Sequence, residues 1–192
     1  MHPIDELFTA GLAARDGTRM VERIGALAIT QGLACCDVTR LADAQQSIEI
    51  ASGTYPVHLA LVDRGSEREV AAARIDLAAA ESVTWRKSGR VCRIESALVC
   101  FADGAANEYL RAHQLESWIS ELAKPLCVRR LSTVGRTRLR GASDVIAYLV
   151  HDAGEYAIWE GRLDQAVVAL AVVFARTGLS IGQCDALRET MG

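Results

Sequence analysis

The chain lacks several of the features that would assign it a chemistry at sight. Its net charge is only −3 over 192 residues. A general nucleic-acid binder is usually basic overall, so the balance argues against one, though it leaves room for a local basic patch. There is no long apolar run: the longest, residues 166–175, is too short to span a bilayer as a helix. The N-terminus opens Met1-His2-Pro3-Ile4-Asp5-Glu6, with no basic segment ahead of an apolar one, so no secretory signal is expected. A cytoplasmic protein is the simplest expectation. The six cysteines form no CxxC and no Cys/His cluster at zinc spacing. Most sit in apolar strand-like runs, where a thiol behaves as a small hydrophobe. Phosphate-loop, dinucleotide-binding and nucleophile-elbow motifs are all missing. The residues therefore point to no cofactor and no metal.

What is present is an ordinary globular composition, half apolar and under a quarter charged. It suits a single domain over 1–192, with a helical segment at 1–24, a β-rich core at 25–175 and a tail at 176–192. Pro3 and the acids Asp5 and Glu6 favour a short N-terminal helix, and Thr18 suits the cap of a second one through Val21 and Ile24.

From Gly25 the period changes to two. Tyr55, Val57, Leu59 and Leu61 alternate, and after a polar connection the stretch Val70 to Leu77 reads as the second arm of an antiparallel hairpin. Residues 91–101 read as two strands broken near Glu95-Ser96. A second hairpin closes the pattern: Tyr156 to Trp159, a turn over Gly161 to Gln165, then Val167 to Phe174. The unbroken apolar run of that last arm implies a central strand buried on both faces. Residues 105–122 carry the spacing of an amphipathic helix, with Tyr109, Leu115, Trp118, Ile119 and Leu122 on one side. The expected class is α+β: a mainly antiparallel sheet, twisted or sandwich-like, with that one long helix packed on it and a short helical N-terminus.

The order of several short motifs resembles the DUF4241 domain family of bacterial proteins. The residues that carry the likeness are Gly32-Leu33 with Asp37, Gly53-Thr54-Tyr55-Pro56-Val57, Val70 to Ile75 and Trp85. Glu95-Ser96-Ala97, Cys100-Phe101-Ala102-Asp103 and Gly154 to Gly161 follow in the same order. No single motif is specific, and the family's late Gly-Asp-Gly-x-Tyr turn stands here as Asp152-Ala153-Gly154-Glu155-Tyr156. By analogy with small domains that sit beside toxin genes, the resemblance implies an immunity role: direct binding of a cognate bacterial toxin, without catalysis.

Three groups of side chains are candidates for function. Arg129 and Arg130, with Arg136, Arg138 and Arg140, form the sharpest charged feature. The last three sit two apart and would share one face of a strand, ready for an acidic protein surface or another polyanion. The plain alternative is a charged edge strand that deters edge-to-edge pairing. Trp159, beside Glu160, reads as the most exposed of the tryptophans and as a partner anchor. Asp37, Asp103 and Asp152 could gather around a divalent metal in a hydrolase. The plain alternative makes them turn and cap residues. The histidines His58, His113 and His151 show no spacing that gathers them.

Overall fold

A computed structural model of the chain describes residues 2–9, 13–14, 17–43, 47–63, 68–80, 83–106, 109, 134–138, 144–150 and 152–174. In order, these form α1 (Pro3–Leu7), β1 (Ala13–Ala14), β2 (Gly17–Ile29), β3 (Leu33–Asp37) and a 3-10 turn (Val38–Asp43). Then come β4 (Gly53–Asp63), β5 (Arg68–Asp76), β6 (Thr84–Ile94) and β7 (Leu98–Asp103). β8 (Val134–Arg138), β9 (Asp144–Leu149), β10 (Gly154–Leu163) and β11 (Ala166–Val173) complete the set. One sheet has the order β1-β2-β4-β5-β11-β10-β6 and the other β3-β7-β9-β8.

The two hairpins expected from alternation are both present. In β4–β5, Val57 lies opposite Ile75 and Leu59 opposite Ala73. In β10–β11, Ile158 lies opposite Val172. They are neighbours, because β5 and β11 pair antiparallel with Leu170 opposite Ile75. This puts β11 between two strands, as its unbroken apolar run requires.

The expected α+β class is corrected. The described residues are antiparallel β in two sheets, and no helix among them reaches seven residues. Ala105, Ala106 and Tyr109 are helical, but most of the span expected as the long helix lies outside the described residues. The second N-terminal helix is also corrected: Thr18 to Ile24 belong to the thirteen-residue strand β2. Its β-branched Thr18, Val21 and Ile24 suit a strand. A place beside β4 supplies pairing that an isolated short helix could not match.

Two compact units are formed, one from Met1–Ile24, Val57–Val91 and Tyr156–Gly192, the other from Gly25–Pro56 and Cys92–Glu155. In the first, α1 lies on small residues of the sheet. Ile4 and Leu7 pack in one buried cluster with Ala60, Ala72, Ala169 and Ala171. A five-residue helix cannot hold itself together. Burial of two aliphatic side chains, about 2 kcal/mol each, does much of it. Polar ties do the rest: the Trp85 indole N–H donates to Asp5 at 2.8 Å, and Arg19 donates to the Glu6 carbonyl at 3.3 Å.

In the second unit, the four-stranded sheet buries Ala34, Cys100, Ala102, Val145 and Ala147 against Val38, Leu41 and Ala106. Its opposite face carries Phe101 and Tyr148, whose rings lie 5.9 Å apart. Gly104, after β7, passes so close to the chain that an added Cβ would stand 2.3 Å from the Gln31 carbonyl oxygen.

Candidate functional site

The three candidate acids do not form one site. Leu33 lies opposite Asp103 in the β3–β7 ladder, and Asp37 is four residues further along β3. At about 3.3 Å per residue the two acids stand roughly 13 Å apart along the strands. Paired catalytic metals sit about 4 Å apart, so neither one ion nor two can join them.

Asp103 and Asp37 are instead spent locally. Asp103 is fully buried and accepts from the Thr30 N–H at 3.0 Å, the Thr30 hydroxyl at 2.6 Å and the Gln31 N–H at 2.9 Å. Asp37, also fully buried, accepts from the N–H and hydroxyl of Thr39. It also accepts from the Glu95 N–H and from both the N–H and hydroxyl of Ser96. Burial pushes the Asp37 carboxyl up, but those donors outweigh it and hold it below its ordinary 3.8. Asp152 follows β9, whose end is tied to the Asp37 side of the sheet by Val150 N–H to Ala97 carbonyl at 2.9 Å. Among the described residues, no three His, Cys, Asp or Glu side chains converge as metal ligands. The metal-hydrolase reading of Asp37, Asp103 and Asp152 is therefore set aside on position.

Trp159 is 5 % exposed and belongs to the cluster under α1, which corrects its expected exposure. It lies mid-strand in β10 rather than at a turn, because that strand runs on to Leu163 and turns at Asp164-Gln165. The Lys87 ammonium stands 5.8 Å from its ring centroid. Glu160 sits opposite Leu170 and binds two arginines, Arg162 at 2.8 Å and Arg86 at 3.2 Å. Its carboxylate is already matched within the fold.

The arginine stripe divides. Arg129, Arg130 and Arg140 lie outside the described residues, whereas Arg136 and Arg138 lie in β8. β8 ends the four-stranded order, paired with β9 on one side. The hydrogen-bond alternation can be traced across this sheet. Gly104 donates to Gly32 at 2.8 Å, and Leu33 exchanges both bonds with Ile48 on the other side. Even residues of β3 and β7 thus face each other, and odd residues of β7 face β9. Odd residues of β9 then face β8 through Gly135 and Thr137. The backbone N–H and C=O of Arg136 point away from the sheet, where no described strand pairs with them.

One polar cluster went unsuspected in the sequence. His58 Nε2 stands 3.3 Å from Asp76, and Asp76 also binds Arg74 at 2.8 Å. Arg74 lies opposite His58 in the β4–β5 ladder and stacks on Phe8, 4.6 Å from the ring centroid. Burial holds His58 below its ordinary 6.5; Asp76 opposes this and Arg74 and Arg23 add to it. His58 is thus neutral at physiological pH. The alternation of His58 with Leu59, and of Arg74 and Asp76 with Ile75, marked a polar end of one face; only the register made it one cluster. Among the described residues, no helix is long and apolar enough to cross a membrane.

Comparison with protein-family models, with curated proteins and with solved structures finds no match for this chain.

Proposed function

We propose that the protein is a non-enzymatic binding protein and that its partner meets it along the side of β8 that pairs with no described strand. The partner would add a strand to the four-stranded sheet, with main-chain bonds to Arg136 supplying affinity. The guanidinium groups of Arg136 and Arg138 select an acidic partner. The observation that carries the reading is the outward backbone of Arg136 at the end of that sheet. The separation of Asp37 from Asp103 supports it by removing the one catalytic constellation that the sequence offered. Following the family resemblance, the partner is a cognate bacterial toxin, bound and neutralised in the cytoplasm.

The test is binding to the toxin encoded beside the gene, by calorimetry and by survival of toxin-expressing cells. Arg136→Pro removes the outward donor and no bond of the β8–β9 ladder. It should weaken binding by a factor of about 100 while leaving the melting temperature nearly unchanged. Equal binding by the wild type and the variant would dismiss β8 as the surface. No complex and no protection with the wild type would dismiss the immunity reading itself.

A further inference from the structure

Four cysteines of the second unit stand in two close pairs on opposite faces of β3. Cys35 and Cys36 are consecutive, so their side chains leave the strand on opposite sides. Cys35 meets Cys92, and both are buried. Cys36 meets Cys100, its direct cross-strand partner. All four are free thiols. The opposed directions of Cys35 and Cys36 exclude a single tetrahedral thiolate site.

Cys36 and Cys100 stand directly opposite each other, within the Cα range that a disulfide can span. The alternation fixed by Gly32–Gly104 makes Cys36 and Cys100 a hydrogen-bonded pair of the ladder. Such pairs have Cα atoms about 5.5 Å apart, at the centre of the range that disulfides span. The Cys100 sulfur lies 3.6 Å from the Cys36 carbonyl oxygen. The two thiols also differ in access. Cys36 is partly exposed, whereas Cys100 is fully buried.

We infer that Cys36 and Cys100 form a redox modification site, in which a hydroperoxide oxidises Cys36 and Cys100 closes a cross-strand disulfide between β3 and β7. The Cys36 thiolate attacks the peroxide, an S–O bond forms, the O–O bond breaks and hydroxide leaves. Sulfur is oxidised by two electrons and the peroxide is reduced. The Cys100 sulfur then attacks the sulfenic acid, the S–S bond forms, the S–O bond breaks, and the departing hydroxide takes the Cys100 proton as water. Two thiols and one hydrogen peroxide give one disulfide and two waters. Cys100 is held as a thiol by its hydrogen bond with Cys36 and by burial, which push it well above 9.0. This leaves first attack to the partly exposed Cys36. The inference stands on unit geometry alone and is independent of any partner at β8.

The test is hydrogen peroxide treatment of the folded full-length chain, followed by intact mass and non-reducing tryptic mapping. Trypsin places Cys35 and Cys36 in peptide 24–40, Cys92 in 91–93 and Cys100 in 94–111, so the pairs are distinguishable. The expected result is a loss of about 2 Da with peptide 24–40 linked to 94–111, reversed by dithiothreitol. Cys100→Ser should abolish that link and drive Cys36 to the sulfinic acid, a gain of about 32 Da. Cys36→Ser should abolish the link as well. The inference is overturned if wild-type protein yields no 24–40 to 94–111 link. It is also overturned if the link persists in Cys36→Ser through Cys35.

Discussion

Asp37 holds Ser96 twice, through the backbone N–H at 2.6 Å and the hydroxyl at 2.8 Å. With the Glu95 N–H at 2.7 Å, these bonds pin the β6–β7 turn to the end of β3. The turn contains Ala97 at φ 60°, a left-handed conformation that alanine adopts at a cost of about 1–2 kcal/mol. The carboxylate is what offsets it.

Asp37→Asn keeps the size and removes the charge. Its amide must then point an N–H group at N–H donors on one side. Unfolding in urea should show a loss of about 3 kcal/mol, the scale of a buried charge-assisted network left unmatched. The same carboxyl sets an acid limit. Its folded pKa lies below its ordinary 3.8, so its stabilisation is complete above that value. It is lost as pH falls through the lower, folded value. Urea midpoints measured from pH 5 downward should fall less steeply for Asp37→Asn than for the wild type.

Gly104 cannot accept a side chain where it stands. A Cβ at 2.3 Å from the Gln31 carbonyl oxygen meets backbone, which does not swing aside. The neighbouring Gln31 N–H is held by Asp103, so a shift there loosens a buried carboxylate as well. Gly104→Ala should destabilise by about 1–3 kcal/mol in thermal or urea unfolding. An unchanged midpoint would mean that the Thr30–Gln31 segment can move without cost.

The His58 cluster predicts a second pH effect. A histidine whose folded pKa is depressed binds its proton less readily when folded. Folding is therefore fully favoured above the ordinary value of 6.5, and stability drops as pH falls below it toward the folded value. His58→Gln should flatten the stability profile between pH 7 and the depressed value, with little change at pH 8. A direct check is the His58 imidazole titration by NMR, expected below 6.5.

Much of the scaffold was legible because its signals are local. Alternation from Tyr55 to Leu61 fixed one strand, and the unbroken Val/Ala/Leu run from Val167 fixed an interior one. Glu95-Ser96 marked a break that is real, between β6 and β7. Thr18 to Ile24 misled, since apolar residues three apart satisfy a helix while β-branched types favour a strand. Trp159 misled because Gly161 reads as a turn, yet it lies within β10 with the Trp85 ring 3.1 Å from where its Cβ would be.

By itself the sequence determined the two hairpins, the apolar strand that must lie inside a sheet, and the short acids with a hydrogen-bonding reason to sit at strand ends. All three depend on neighbours along the chain. Tertiary structure alone decided that β5 and β11 join the hairpins into one sheet and that Asp37 and Asp103 stand at opposite ends of a ladder. It alone decided that Cys36 faces Cys100 and that Arg136 turns its backbone outward. These are matters of register between segments far apart in sequence. A shift of one residue would turn Cys36 away from Cys100 and Arg136 toward β9 without changing a local signal.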